Sequence, residues 1–375
     1  MSEPTLEPAS RSIPEMCPLT TKSQSRKSQK RREGGNAAAA AAEGLDIAHS
    51  DWRQALRTRV VQLGIQAIWG KSAFSAELSA GVPLISTSLR LAWLKALGAV
   101  GVKKFVATSG FGFKFVCHLN DLSQFPFCHR RAFQNELAIC AAWLHEDVKP
   151  IVFDVGANVG FFCTHLAQMV ASPTVEIHAF EPVDITFDKL VQSVEDLRLN
   201  DRIHTVAAAV LDNPQPVLLQ YPPGNSLFAR ITPNKSDLRA GHNLVHAAGL
   251  TLDGYCKSTG VFPTFLKIDV EGYEVAVLRG AQGMLARLDR PALVFEYYPD
   301  AFEQCSVGPE SFYEVLSGYT LYYVDDLIGQ KMPFGRPVDR LEDIQWGCNL
   351  FAVPSVEGSA ARWQSALKSA HHRIQ

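Results

Sequence analysis

The chain of 375 residues contains no C-x-x-C pair, although it holds eight cysteines. Cys17, Cys117, Cys128, Cys140, Cys163, Cys256, Cys305 and Cys348 stand singly, which argues against a zinc site or a disulfide framework. Buried, reduced thiols suit that usage, so a cytoplasmic location is expected. Long apolar runs are missing as well. A membrane span needs roughly 18 consecutive apolar residues, and the run Leu91–Val102 is too short and is broken by Lys95. The amino terminus lacks a basic start followed by an apolar core, so no secretory signal is expected. Nor is there a surplus of one charge. A net charge of −2 and a pI near 6.6 give no argument for nucleic acid or a membrane surface as partner. No G-K-[ST] follows any glycine loop, which excludes a P-loop, and no G-x-S-x-G elbow supports a hydrolase.

What is present divides the chain into four parts. Residues 1–45 are rich in Ser, Pro, Glu, Lys and Arg and end in an alanine tract, so they bury too little to order and are expected to form a disordered tail. Its basic cluster (Lys22, Arg26, Lys27, Lys30, Arg31, Arg32) is expected to be solvated. Residues 46–145 read as an extension, helical over 52–97, with a hairpin of 104–108 and 113–118 and an amphipathic helix over 132–145. Residues 146–356 form the third part, in which short apolar runs alternate with helical patterns from Ile151 onward, and 357–375 form a helical tail. Such alternation predicts a doubly wound, mostly parallel sheet with helices on both faces. The stretch from Leu211 to Thr251 interrupts it and is expected to shape a binding pocket.

The segment IVFDVGANVGFF sits after a strand and opens a helix, the place where such sheets bind nucleotides. Gly156 and Gly160 let the backbone turn tightly, and Asn158 can donate or accept at the loop. The middle glycine of G-x-G-x-x-G is missing, and Asp154 would repel a pyrophosphate, which disfavours a nicotinamide-dependent oxidoreductase. The second strand ends in HAFEP, so Glu181 is placed to accept the two hydroxyls of an adenosine ribose, with Pro182 beside it.

DVGANVG and FEP, followed by TLDGY (Thr251–Tyr255), KIDVEGYE (Lys267–Glu274) and VLRGA (Val277–Ala281), resemble the FkbM-type methyltransferases, in that family's order over roughly residues 100–355. The resemblance implies a class I, Rossmann-like, seven-stranded sheet and S-adenosyl-L-methionine as cofactor. It also implies transfer to a hydroxyl of a glycan, polyketide or related metabolite. On the matched positions Asp154, Gly156, Ala157, Asn158 and Gly160 would form the cofactor loop, and Glu181 would hold the ribose. A non-catalytic module that keeps the cofactor fold is the remaining alternative.

Methyl transfer to an alcohol needs a destination for the hydroxyl proton. Asp269 ends the fourth strand, on the same side as Lys267, and is the first choice for a base or orienting carboxylate. Glu271 and Glu274 follow it, each with a structural alternative. Glu296, ending the fifth strand, could pair with Asp269 around Mg2+, which favours carboxylates and water. His165, His178 and His204 are expected to be packed or surface residues, whereas His242 and His246 lie in the interrupting stretch. Tyr221, Phe228, Tyr297 and Tyr298 are candidates to line an acceptor pocket or to pack the core.

Overall fold

The computed structural model describes residues 98–99, 101–109, 112–119, 133–172, 174–232, 237–326 and 334–374. The expected tail over 1–45 and the helical pattern over 52–97 lie outside the described residues. In chain order the elements begin with strands β1 (Lys104–Thr108) and β2 (Lys114–His118), then helix α1 (Gln134–Leu144). Next come β3 (Ile151–Val155), α2 (Phe161–Met169), β4 (Glu176–Phe180), α3 (Asp184–Asp196) and β5 (Ile203–Val206). The interrupting region holds β6 (Ala209–Val210), β7 (Val217–Tyr221), β8 (Arg230–Ile231), β9 (Asn243–Ala247) and β10 (Gly249–Leu250). It is followed by α4 (Leu252–Thr259), β11 (Phe265–Ile268), α5 (Glu274–Arg279), α6 (Gln282–Leu285) and β12 (Ala292–Tyr297). The last elements are α7 (Pro299–Gln304), α8 (Pro309–Val315), β13 (Tyr319–Asp326), β14 (Cys348–Pro354) and α9 (Ser359–Ile374).

Seven strands form one sheet in the order β13-β14-β12-β11-β3-β4-β5. β12, β11, β3, β4 and β5 are mutually parallel, and β14 alone runs against its neighbours. This is the doubly wound α/β architecture expected of a class I methyltransferase. The order reverses between β3 and β11, so the carboxyl ends of those two strands flank the crevice where such sheets bind ligands.

Side-chain alternation divides the core into two layers. Val152, Ile177, Phe265 and Val294 pack on one face with α1, α2, α3 and α9. Phe153, Phe180, Leu266 and Phe295 pack on the other with helices α4 to α8. Helix α1 departs from its amphipathic expectation: Glu136 through Leu144 are all buried. It lies under α9, whose Arg362 stacks 4.2 Å from the Trp143 ring, donates to the Trp143 carbonyl and pairs with Asp147 at 2.7 Å. The polar residues of α1 are confined to its first turn, where Gln134 and Asn135 are half-buried and Glu136 accepts from Asn349 Nδ2 at 3.2 Å.

Two other expectations change in detail. The strand read over 202–210 divides in two, because only 203–206 joins the main sheet while β6 pairs with β10. The helix read over 275–288 breaks at Gly280, where an added Cβ would meet the Leu211 carbonyl oxygen at 2.0 Å. The region between β6 and β10 is a three-stranded antiparallel sheet, β8-β7-β9. The described cysteines form no disulfide, and no described helix is long and apolar enough to cross a membrane.

Trp363 is fully buried, 4.9 Å from the Phe351 ring and 4.5 Å from Tyr322. Trp363→Ala is expected to cost about 3–5 kcal/mol in denaturant unfolding, and Trp363→Phe clearly less. Equal losses in the two variants would mean that packing volume is not what this helix contributes.

Candidate functional site

The loop after β3 is held in shape before any ligand is considered. Gly156 has φ 78°, and an added Cβ would stand 1.8 Å from the Asp269 carbonyl oxygen, so no side chain fits there. Gly156 and Ala157 both donate their N–H to the Phe180 carbonyl, at 3.0 and 2.9 Å. Asn158 is left-handed at φ 51°, and its Oδ1 accepts from Val159 N–H at 2.7 Å. Gly160, at φ 86°, caps α2. Glu181 closes the arrangement from the neighbouring strand end: Oε2 accepts from Asn158 N–H at 3.0 Å and Oε1 from Val183 N–H at 2.9 Å. A carboxylate offers about four lone-pair positions, so two remain for hydroxyl donors. Burial pushes the Glu181 carboxyl up to about 7.

Beneath the loop lies a buried charge triad. Lys267 Nζ stands 3.3 Å from Asp154 Oδ1, 3.3 Å from Asp269 Oδ2 and 3.2 Å from the Gly156 carbonyl oxygen. Burial works against the ammonium, but Asp154 and then Asp269 outweigh it and hold Lys267 above its ordinary value. Asp154 has no exposed surface and does not reach the cavity wall. It anchors Lys267 rather than facing a ligand. Asp269 does line the cavity, with its side chain 30% exposed.

That cavity encloses about 930 Å3 of empty space, its mouth included. Gly156, Ala157, Asn158, Glu181 and Pro182 form one side, and Lys267, Asp269 and Glu271 another. Leu219 of β7 and Ile231 of β8 contribute from the interrupting region, so that region does shape the pocket. A second cleft of about 1770 Å3 shares Ile231, Glu271 and Tyr273 with the first. Its wall carries Arg230, Arg239, Arg279 and His242. Gly160 and Glu296 line neither space.

The acids after β11 separate by environment. Glu271 is left-handed at φ 56°, an uncommon conformation for a non-glycine residue. Its carboxyl is pushed up to about 8 by burial and then by Asp269, with Arg230 3.7 Å away pulling the other way. Glu274 Oε1 accepts from the N–H groups of Val270 and Gly272, at 3.0 and 3.3 Å, so it braces the strand-to-helix turn. Burial and then Asp269 and Glu271 raise the Glu296 carboxyl well above its ordinary value. Among the described residues, no third acid, histidine or cysteine joins Asp269 and Glu296 at ligand spacing, so the pair gains no support as a metal site.

His165 is a packed residue: its Nδ1 lies 2.8 Å from the Phe161 carbonyl, and burial lowers it to about 4. Tyr297 is in the core with its hydroxyl toward the Leu341 carbonyl, whereas Phe228 does line the larger cleft. Tyr221, Tyr298 and His246 line neither space. The sequence pointed to neither Tyr273 nor Arg230. Tyr273 lies within KIDVEGYE, so the motif itself was the available signal, but nothing near Arg230 marks it.

Residues 154–321 match the model of the methyltransferase FkbM domain, the family whose motifs the sequence resembles. Similar solved structures include a methyltransferase FkbM from Methylobacillus flagellatus, 17% identical, covering 54% of this chain and 43% of that one at TM-score 0.35. They also include a SAM-dependent O-methyltransferase from Thermotoga maritima, 12% identical, covering 67% and 77% at TM-score 0.32. A third is a putative rRNA methylase from Clostridium thermocellum, 14% identical, covering 59% and 96% at TM-score 0.34. The chain thus spans less than half the length of the Methylobacillus protein. No curated protein matches the sequence.

Burial pushes the Glu274 carboxyl from its ordinary 4.5 up to about 7. The folded chain therefore holds a proton that the unfolded chain releases. The resulting stabilisation, on the order of 3 kcal/mol, is whole below about pH 4.5 and is lost as pH rises through about 7. Glu274→Gln keeps the Oε1 acceptor and removes the titration. Its unfolding free energy is expected to fall less steeply than that of the wild type between about pH 5 and pH 8. Parallel pH profiles would show that Glu274 does not titrate there.

Proposed function

We propose that this protein is an S-adenosyl-L-methionine-dependent O-methyltransferase acting on a hydroxyl of a glycan, polyketide or related small metabolite. The observation that carries the reading is the wall of Ile231, Glu271 and Tyr273, shared by the loop-lined cavity and the larger cleft. A cofactor in the first and an acceptor in the second would meet there. The cradle suits the cofactor: Gly156 allows the backbone to approach closely, and Glu181 keeps lone pairs for a ribose. When bound, the cofactor supplies an electrophilic methyl group on a sulfonium.

The remaining work falls to the chain. Asp269, held by Lys267 in the cofactor cavity beside Glu271, orients the acceptor hydroxyl. Glu271 takes the hydroxyl proton as the oxygen gains its new bond to carbon. With its carboxyl near 8 it stands close to the operating pH, where general bases are most effective. Arg239 and Arg279 line the cleft and offer donors to a polyhydroxylated acceptor. Most of the acceleration then comes from positioning.

Calorimetry with S-adenosylhomocysteine tests the cofactor half. Saturable binding is expected, weakened about 100-fold by Glu181→Ala through the loss of charge-assisted hydrogen bonds. It should also weaken as pH falls below about 7, where Glu181 gains its proton. Absence of binding by the intact chain sinks the proposal, and NADH serves as the control that should not bind. Methyl transfer from labelled cofactor to a panel of glycans and hydroxylated metabolites tests the chemistry. Glu271→Gln is expected to lower kcat by about 10²–10⁴-fold while leaving S-adenosylhomocysteine affinity nearly unchanged. The wild-type rate should fall as pH drops below about 8. Full activity in Glu271→Gln, with loss in Asp269→Asn, would transfer the base role to Asp269.

A further inference from the structure

A second constellation of ligating side chains lies away from the cofactor loop, at the opposite end of β4 from Glu181. Glu176 and His178 are two apart on β4 and so share a face. His204 stands directly opposite His178 on the edge strand β5. Glu176 Oε1 is 3.0 Å from His178 Nε2 and 3.9 Å from His204 Nε2. All three ligand atoms lie within 4.8 Å of one another, the only such group among the described residues. A tetrahedral zinc ion with bonds of about 2.0–2.1 Å sets its ligands roughly 3.3 Å apart. The observed spacing therefore brackets the geometry that the ion requires. The two imidazoles face each other with centroids 5.0 Å apart.

The surroundings supply what a metal-binding histidine needs. His178 Nδ1 lies 2.7 Å from the Tyr255 hydroxyl, which turns Nε2 toward Glu176 and His204. Such an outer partner is the usual device for fixing the tautomer of a liganding imidazole. Glu176 presents Oε1 to both histidine rings. The neighbouring cation Lys149 meets the other oxygen, Oε2, at 3.6 Å and leaves Oε1 to the histidines. His178 is nearly closed off, whereas His204 is half exposed, so an ion has both a seat and an entry.

We propose that Glu176, His178 and His204 form a zinc site that clamps edge strand β5 to β4, with water as the fourth ligand. The site is independent of the methyltransferase reading, because none of its residues lines the cofactor cavity or the acceptor cleft.

The test is calorimetric titration of the chelator-treated full-length protein with Zn2+, followed by Co2+ absorption spectroscopy. One equivalent of Zn2+ is expected to bind and to raise the melting temperature. His204→Ala, an exposed edge-strand change that should fold, is expected to weaken binding by about 100-fold or more and to abolish the melting shift. Tyr255→Phe should weaken it by about 10-fold. The Co2+ spectrum should show tetrahedral bands without thiolate charge transfer. Absence of saturable binding overturns the proposal, as does equal affinity in His204→Ala or a thiolate band placing the ion on cysteine.

Discussion

Lys267 is a cation held with only 5% of its side chain exposed, and its environment explains why the site exists in this form. An ammonium there is tolerable only because Asp154 and Asp269 compensate it; removing either would leave a buried charge short of partners. Asp154 stands on β3, Lys267 on β11 and Asp269 just past the end of β11, and between these two strands the sheet order reverses. Lys267 also holds the Gly156 carbonyl, so the crevice, the loop and the carboxylate facing the cavity share one electrostatic anchor. An acid that reads as a cofactor ligand in the sequence thus serves as a foundation beneath the loop.

The inner strands of the parallel sheet were legible because they are buried on both faces and appear as apolar runs. IVFDV, EIHAF and FLKI begin or end within a residue or two of their expected positions. Helix α1 was legible as a helix but not as a buried one. Its covering helix α9 lies more than 200 residues away in the sequence, and no local pattern reports a neighbour so distant. The sheet β8-β7-β9 was read only as an interruption, since strands of two to five residues joined by Pro and Gly carry little periodicity.

The family-like motifs proved uneven in kind. In TLDGY, Thr251 caps α4 by accepting from Gly254 N–H. Asp253 accepts from Gly283 and Met284 at the start of α6. Tyr255 packs edge-on against Phe153 and Phe180. The segment braces one layer of the core and lines neither space. KIDVEGYE instead supplies cavity residues and a brace together: Lys267, Asp269, Glu271 and Tyr273 reach the wall, while Glu274 supports the turn behind them. A motif's resemblance reports that its residues are needed, and only the geometry separates support from contact.

The short pairing of β6 with β10 brings residues 209–210 beside 249–250, so the excursion between them leaves and re-enters the fold at one place. Gly249 belongs to this clasp: a Cβ there would stand 2.1 Å from the Gln215 carbonyl oxygen. Entropic cost grows only slowly with the length of a segment whose ends are already joined. The roof of the cavity is thereby closed at its base, and it meets the floor again where Arg230 stands 3.7 Å from Glu271 and the Tyr273 hydroxyl donates to the Ile231 carbonyl. Because its two ends are already joined, a change in the length of the excursion costs the chain little, whereas the glycine loop, Glu181 and the lysine anchor lie outside it.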